Sequence, residues 1–307
     1  MNGDLIALLL ASVLRLSAPL TLAAMGELVS ERAGVLNLSV EGLMLSGAFF
    51  GAWAAFATGN PWIGLIAAVA ASLCLGVVQA LLSVVLRADQ VVVGLGLNLL
   101  ALGLTTLLSR LVFGARSQTT VIGFEPIAIP WFSDIPVVGP ALFRHNVLVY
   151  LAIVSVGVTW LLLHRSGAGI AVSAAGEDPV AADKSGVPVL RIRFAAVLYT
   201  SALCGLAGAF LSLGDVHTFV EGMTSGLGFI ALVAVIFGNW RVGPVFLACA
   251  FFGLMTALRF LLPAMQIEVP LALLASSPYL AALLALMGAI GRQRAPAALS
   301  IPFVLQR

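Results

Sequence analysis

Charge is the scarcest commodity in this chain. Of 307 residues only 9% are charged and 61% are hydrophobic, where ordinary soluble domains carry roughly a quarter charged residues. A soluble protein of this length needs a charged shell, whereas a bilayer solvates apolar side chains directly and penalises charge in the span. A mean hydropathy of +1.13 fits the second case. Lysine is nearly absent, with Lys184 standing against fourteen arginines. The net charge of +2 gives no basic stripe for a nucleic acid. The phosphate-cradling G-x-x-x-x-G-K-[ST] loop is excluded, because Lys184 is preceded by Asp183. The chain therefore does not hydrolyse ATP by that chemistry.

Cysteine is also sparse. Cys74, Cys204 and Cys249 each sit in an apolar run without metal-type spacing, and read as inert packing residues. His145, His164 and His217 are distant from one another and fall near the ends of apolar stretches, so no metal site is expected. No cofactor motif stands up: Gly226-Leu-Gly228-Phe-Ile-Ala231 matches G-x-G-x-x-A formally, but lacks the βαβ context a dinucleotide site needs. The first apolar stretch lacks a basic leading region and a small-residue cleavage site, and reads as a retained helix.

Long apolar stretches dominate what remains. About 20 residues cross the hydrocarbon as a helix, and such stretches occur at roughly 5–25, 38–57, 61–86, 90–113, 146–164, 191–213, 226–240, 243–262 and 269–291. In lipid every peptide group must bond within its own segment, and the period-2 alternation of a barrel is missing. The expectation is an all-α, polytopic transmembrane helix bundle of about nine spans forming a single domain over 1–307. The stretch 226–240 is short enough to be a half-helix that enters and returns. Arg165, Lys184, Arg191, Arg193 and the tail arginines Arg292, Arg294 and Arg307 belong in the cytoplasm by the positive-inside rule. That puts the N-terminus outside, the C-terminus inside, an external segment at 114–145 and a cytoplasmic loop at 165–190.

Polar groups at membrane depth carry the functional information. Glu27, Glu31 and Arg32 read as a solvated cytoplasmic turn with local ion pairs. Asn37 and Glu41 lie four apart on one helix face. Gln79, Gln90 and Asn98 either glue helices or bond a polar ligand. In the last external turn Phe219, Thr224 and Ser225 offer an aromatic ring and hydroxyls to a substrate, or the turn docks a partner protein. Gly47–Gly51 and Gly222–Gly226 are G-x-x-x-G spacings, read as helix packing. Gly94-Leu-Gly96-Leu-Asn98 and Gly226-Leu-Gly228 form a candidate pair of Gly-interrupted segments in the two halves, as in transporters with inverted repeats. In the cytoplasmic loop Asp178 is placed to cap a short helix with Pro179 at its first position and Gly186 closing it.

Three blocks together resemble the permease subunits of bacterial ABC importers for ribose, other simple sugars, nucleosides and branched-chain amino acids. The first is Gly176 with an acidic neighbour, Ala181-Ala182, Ser185-Gly186-Val, the basic pair Arg191 and Arg193, and the small-residue helix from Ser201 to Gly208. The second runs from Gly228-Phe-Ile-Ala231 to Phe237-Gly238-Asn239-Trp240. The third, Gly26-Glu-Leu-Val-Ser-Glu31-Arg-Ala-Gly34 through Asn37 to Glu41-Gly42, looks most like the nucleoside and simple-sugar branch. The resemblance implies cytoplasmic ATP-binding subunits, a second permease subunit and an external substrate-binding protein, in a bacterial cytoplasmic membrane. It also implies ATPase contacts at Gly176, Glu177, Ala181, Ala182, Ser185 and Gly186, with Gly238, Asn239 and Trp240 as a second contact. Two other readings compete: a stand-alone secondary transporter or channel, which needs an ion site that acid-poor spans do not offer, and a membrane enzyme, which needs a clustered catalytic set.

Overall fold

The computed structural model describes residues 2–114, 120–128, 138–264 and 294–304, together with positions 270, 276, 277, 279–281 and 283. Among the described residues the regular structure is helical, apart from a two-residue ribbon pairing β1 (Ile127–Ala128) with β2 (Arg144–His145). The helices are α1 (Asn2–Arg32), α2 (Val40–Thr58), α3 (Pro61–Ala80), α4 (Gln90–Val112), α5 (Val138–Leu142), α6 (Val147–Arg165), α7 (Gly167–Glu177), α8 (Pro179–Lys184), α9 (Val189–Ala209), α10 (Leu227–Phe237) and α11 (Val242–Ala264). Seven of them, α1, α2, α3, α4, α6, α9 and α11, are long and apolar enough to cross a membrane. They coincide with seven of the nine expected stretches. The eighth, 226–240, contains only the 11-residue α10, and most of the ninth, 269–291, lies outside the described residues.

The centre is built from α1, α2 and α9, with α3 and α11 packed against them. Small residues make this possible. A Cβ on Gly47 would lie 2.8 Å from the Gly205 carbonyl oxygen, and one on Gly205 would lie 2.8 Å from the Val69 Cα. Backbones at that separation trade side-chain volume for close contact, the usual device in lipid. The outer faces of α4 and α6 carry exposed leucine, isoleucine and valine, as a lipid-facing or subunit-facing helix must. Gly222 and Gly226 do not serve as a packing face. Both have positive φ, 66° and 83°, and shape the turn before α10.

The expected cytoplasmic turn at Glu27, Glu31 and Arg32 is overturned. Nothing between Met25 and Arg32 breaks a helix, and α1 runs on through all three. Glu27 and Glu31 are fully buried, and Arg32 is half-buried. The chain then doubles back. The Asn37 amide donates to Glu27 Oε1 at 2.9 Å, on a residue more than one turn before the end of α1. Residues 33–39 form a non-helical connector whose Val35, Asn37 and Ser39 are buried in protein, as irregular backbone between spans must be if it lies within a bilayer.

Candidate functional site

The doubled-back connector delivers the amino end of α2 to the inside of the bundle, where two other segments meet it. From α4, Asn98 clasps it: Nδ2 donates to the Leu38 carbonyl at 2.8 Å and Oδ1 accepts from the Gly42 amide at 2.7 Å. Gly94 lets α4 close in, since a Cβ there would lie 2.8 Å from Leu38 Cβ. From the other side comes α10. Glu41 Oε1 accepts from the Gly226 amide and Oε2 from the Gly228 amide, each at 2.7 Å. A carboxylate thus satisfies two of the amides that the first turn of a helix leaves unpaired, and opposes the positive end of its dipole. A Cβ on Gly228 would lie 2.6 Å from the Glu41 amide nitrogen. The two Gly-interrupted segments singled out in the two halves therefore converge on residues 38–42. Each follows a helix, α3 or α9, that ends in a π-helical segment, Leu81–Val85 or Phe210–Asp215.

Between them lies a cavity of about 400 Å³ whose lining includes Glu41, Asn98, Thr224, Ser225, Leu45 and Phe229. Four of the eight residues expected along a substrate pathway are thus brought together. The other four stand elsewhere. Asn37 is buried against Glu27 and accepts from Ser39 Oγ at 2.6 Å. Gln90 accepts from the Leu36 amide at 2.8 Å, tying the connector to α4. Gln79 donates to Ser83 Oγ at 3.1 Å, and its Oε1 has no hydrogen-bond partner. Phe219 is buried edge-on against Phe49, 5.2 Å between ring centres. Apart from Glu41 and Asn98, whose polar atoms are engaged by backbone, the wall is largely leucine: Leu45, Leu95, Leu99 and Leu102.

The remaining expected residues gather at one end of the bundle. Asp178 accepts from the Val180 and Ala181 amides at 3.1 and 2.9 Å, Pro179 opens α8, and Gly186 closes it with φ of 86°. The capped helix read from the sequence is therefore formed. Ala181 on α8, Glu177 at the end of α7, and Ser185 and Gly186 just past α8 are exposed, while Ala182 packs inward with Ala175, Val189 and Phe303. Gly176 is buried with no room for a Cβ against the Arg32 carbonyl. Gly238 and Trp240 are also buried, and Asn239 is half-buried. Asn239 and Trp240 both adopt positive φ, 51° and 53°, a strained pair that needs outside support. Arg32 Nε supplies it by donating to the Trp240 carbonyl at 3.1 Å, and the Trp240 indole N–H donates to Glu31 Oε2.

Two features escaped the sequence. Glu27 and Glu31 form a buried carboxyl pair on α1, and among the described residues no arginine or lysine forms an ion pair with either. Their i, i+4 spacing, in a stretch without a helix breaker, was the available signal. The finding removes the scarcity of buried acids as an argument against a stand-alone transporter. The second feature is Arg193, buried in the first turns of α9.

Apolar spans, an interrupted connector and a half-length helix meet at a cavity open along α4, an arrangement suited to a membrane transport protein, and among the described residues no His, Cys, Asp and Glu grouping could hold a metal ion. The family model described as branched-chain amino acid transport system / permease component matches residues 9–290, and the chain belongs to that permease family. It is 41% identical to a putative glucose ABC transporter permease protein of Haloferax volcanii, over 82% of this chain and 76% of the other. It is 34% identical to a guanosine ABC transporter permease protein of Bacillus subtilis over 98% of each. A nucleoside ABC transporter permease protein of Lactococcus lactis is 32% identical over 97% of this chain and 96% of its own length. No solved structure matches the chain.

Proposed function

We propose that the chain is the membrane-crossing subunit of an ATP-driven importer for nucleosides or simple sugars, with hydrolysis carried out by separate cytoplasmic subunits. The observation that carries the substrate class is the cavity wall. Among the described residues the only charged side chain on it, Glu41, is engaged by two helix amides, and the rest is largely apolar. A branched-chain amino acid, the substrate in the family's description, would bring an ammonium and a carboxylate that find no free counter-charge there. A neutral nucleoside or sugar makes no such demand. The relatives named for guanosine, nucleosides and glucose support the same choice.

The polarity of the molecule supports a cytoplasmic position for α7 and α8. Among the described residues Arg32, Arg87, Arg165, Lys184, Arg191, Arg241 and Arg294 fall toward the end where these helices lie, against Arg15, Arg110, Arg144 and Arg259 toward the other. In this reading the N-terminus is outside and the C-terminus inside the cytoplasmic membrane, with the turn before α10 and α10 together making one crossing and the apolar stretch 269–291 the last. Exposed Leu95, Leu99 and Leu102 rim the cavity along α4, so a second permease subunit closes it laterally. An external binding protein delivers the solute. ATP-binding subunits press on Glu177, Ala181, Ser185 and Gly186, and the helices open the cavity to one side at a time.

Reconstitution into proteoliposomes with the ATP-binding subunits and binding protein tests this. Uptake of radiolabelled guanosine or glucose should require ATP, and Ala181→Trp or Gly186→Trp should abolish it while leaving insertion intact. ATP-independent uptake, or normal uptake by both variants, defeats the proposal.

A further inference from the structure

Arg193 is 2% exposed and, among the described residues, has no carboxylate partner. Its guanidinium is spent on three backbone carbonyls from three separate parts of the chain. Nε donates to Ala33 at 3.1 Å, just past α1; Nη2 donates to Ala175 at 3.2 Å, in the last turn of α7; Nη1 donates to Ile301 at 2.8 Å. A rigid planar fork of donors is suited to this, where a lysine ammonium is a single point. Gly34 keeps the space open: its φ is 87°, and a Cβ there would lie 2.6 Å from Nη2.

Segment 294–304 makes the same junction from outside. The Ala298 amide donates to the Gly176 carbonyl at 2.8 Å, the Ser300 amide to the Gly34 carbonyl at 3.2 Å, and the Arg294 amide to Asn239 Oδ1 at 2.9 Å. Phe303 seats between Ala175, Ala182 and Val189. One segment, turning at residues 297–300, thus touches the α7–α8 hairpin, the end of α1, the turn after α10 and the start of α9.

Resting on the coupling role proposed for α7 and α8, we infer that Arg193 is a positioning residue and that segment 294–304 is a strap, which together make the hairpin, the end of α1 and the turn after α10 move as one body. Force applied to α8 then reaches the helices around the cavity. Without the fork and the strap, α8 moves and the spans do not follow.

The test uses the complete transporter in proteoliposomes, reading ATP hydrolysis and uptake of radiolabelled guanosine and glucose. Arg193→Met is expected to assemble and to support ATP hydrolysis by the partner subunits while uptake falls at least tenfold; Arg193→Lys recovers part of it. Uptake within twofold of the unaltered protein in Arg193→Met overturns the inference. A second arm does not depend on that variant folding. In a Cys74→Ser background, Ala174→Cys in α7 and Val304→Cys in the strap are joined by a thiol cross-linker, beside the cluster of Ala175, Ala182, Val189 and Phe303 against which Ala174 packs. Parts of one body tolerate the link, so uptake stays within twofold; arrest by the link overturns the inference. Loss of coupling in Ala181→Trp alongside normal Arg193→Met refutes the strap and leaves the coupling role standing. Normal coupling in Ala181→Trp refutes the coupling role itself.

Discussion

The hold of Glu41 on α10 has a size that can be worked out. Replacement by alanine removes two charge-assisted hydrogen bonds at 2.7 Å, each worth about 1.5–3 kcal/mol net, and an anion at a helix amino end, worth about 0.3–1 kcal/mol. The side chain borders a cavity, so water reoccupies part of what is lost. Discounting for that leaves about 2–4 kcal/mol. The loss falls on local opening of α10, because the two donors are the amides of Gly226 and Gly228. At 1.4 kcal/mol per factor of ten, hydrogen exchange at amides 226–230 should accelerate roughly 30- to 700-fold in Glu41→Ala, with distant amides in α3 unaffected. Glu41→Gln should be nearly as damaging, since its amide oxygen accepts one bond and its NH2 group faces the other N–H. Glu41→Asp is about one carbon–carbon bond too short to hold both. Unchanged exchange at 226–230 in Glu41→Ala and Glu41→Gln would refute the latch, whatever happens to transport.

Other positions separate packing from transport. Gln79 is buried with an unpartnered Oε1, so Gln79→Met should be neutral or stabilising, by less than about 1.5 kcal/mol, with uptake unchanged; a transport defect without loss of stability would return Gln79 to the pathway. Gly205→Val places its Cβ against Val69 Cα and the Ala68 carbonyl and should cost about 1–3 kcal/mol or more, read as a lower melting temperature in detergent. Burial, with a smaller contribution from Arg15, lowers the His145 imidazole below its ordinary 6.5. Protonation therefore favours the opened form: the contribution of His145 is complete above pH 6.5 and lost as pH falls below it. His145→Gln should flatten the melting profile between pH 7.5 and 5, and an identical profile would contradict this. Glu221, outside the spans, is held below the usual carboxylate range by its hydrogen bonds from Arg110, so that pair weakens only in acid and in high salt.

The spans were legible because a bilayer imposes a length: an apolar run near 20 residues has one economical structure. Asp178-Pro179 and Gly186 were legible because caps are local chemistry, complete within a few residues. Glu41 and Asn98 were legible as polar groups at depth, whereas Thr224 and Ser225 read as hydroxyls of an external turn and border the cavity instead. What could not be read was whatever depends on partners far along the chain. Glu31 is buried because Trp240 reaches it from 209 residues away, and Glu27 because the connector doubles back onto it. Without those partners, two acids and an arginine after an apolar run read as a solvated turn. Arg193 was visible only as half of a basic pair, because its acceptors are carbonyls, and any residue type supplies a carbonyl.

Helix α10 links the cavity to the strap. At 11 residues it is about 16 Å long, too short to cross the hydrocarbon and long enough to reach from the cavity to the end of α1. Its amino end is held by Glu41 at the cavity, and its carboxyl end runs into Asn239 and Trp240, held by Arg32, Glu31 and the strap. A helix resists compression along its axis, so displacement of the turn at Trp240 must appear at Gly226 and Gly228 unless the hydrogen bonds to Glu41 break. Those bonds are thus where such a displacement either carries α2 along or frees α10 from it. Either outcome reshapes the wall formed by Glu41, Thr224 and Phe229. A full-length span in the place of α10 would be anchored in both leaflets and transmit nothing of the kind, which gives a physical reason for the short helix at 226–240.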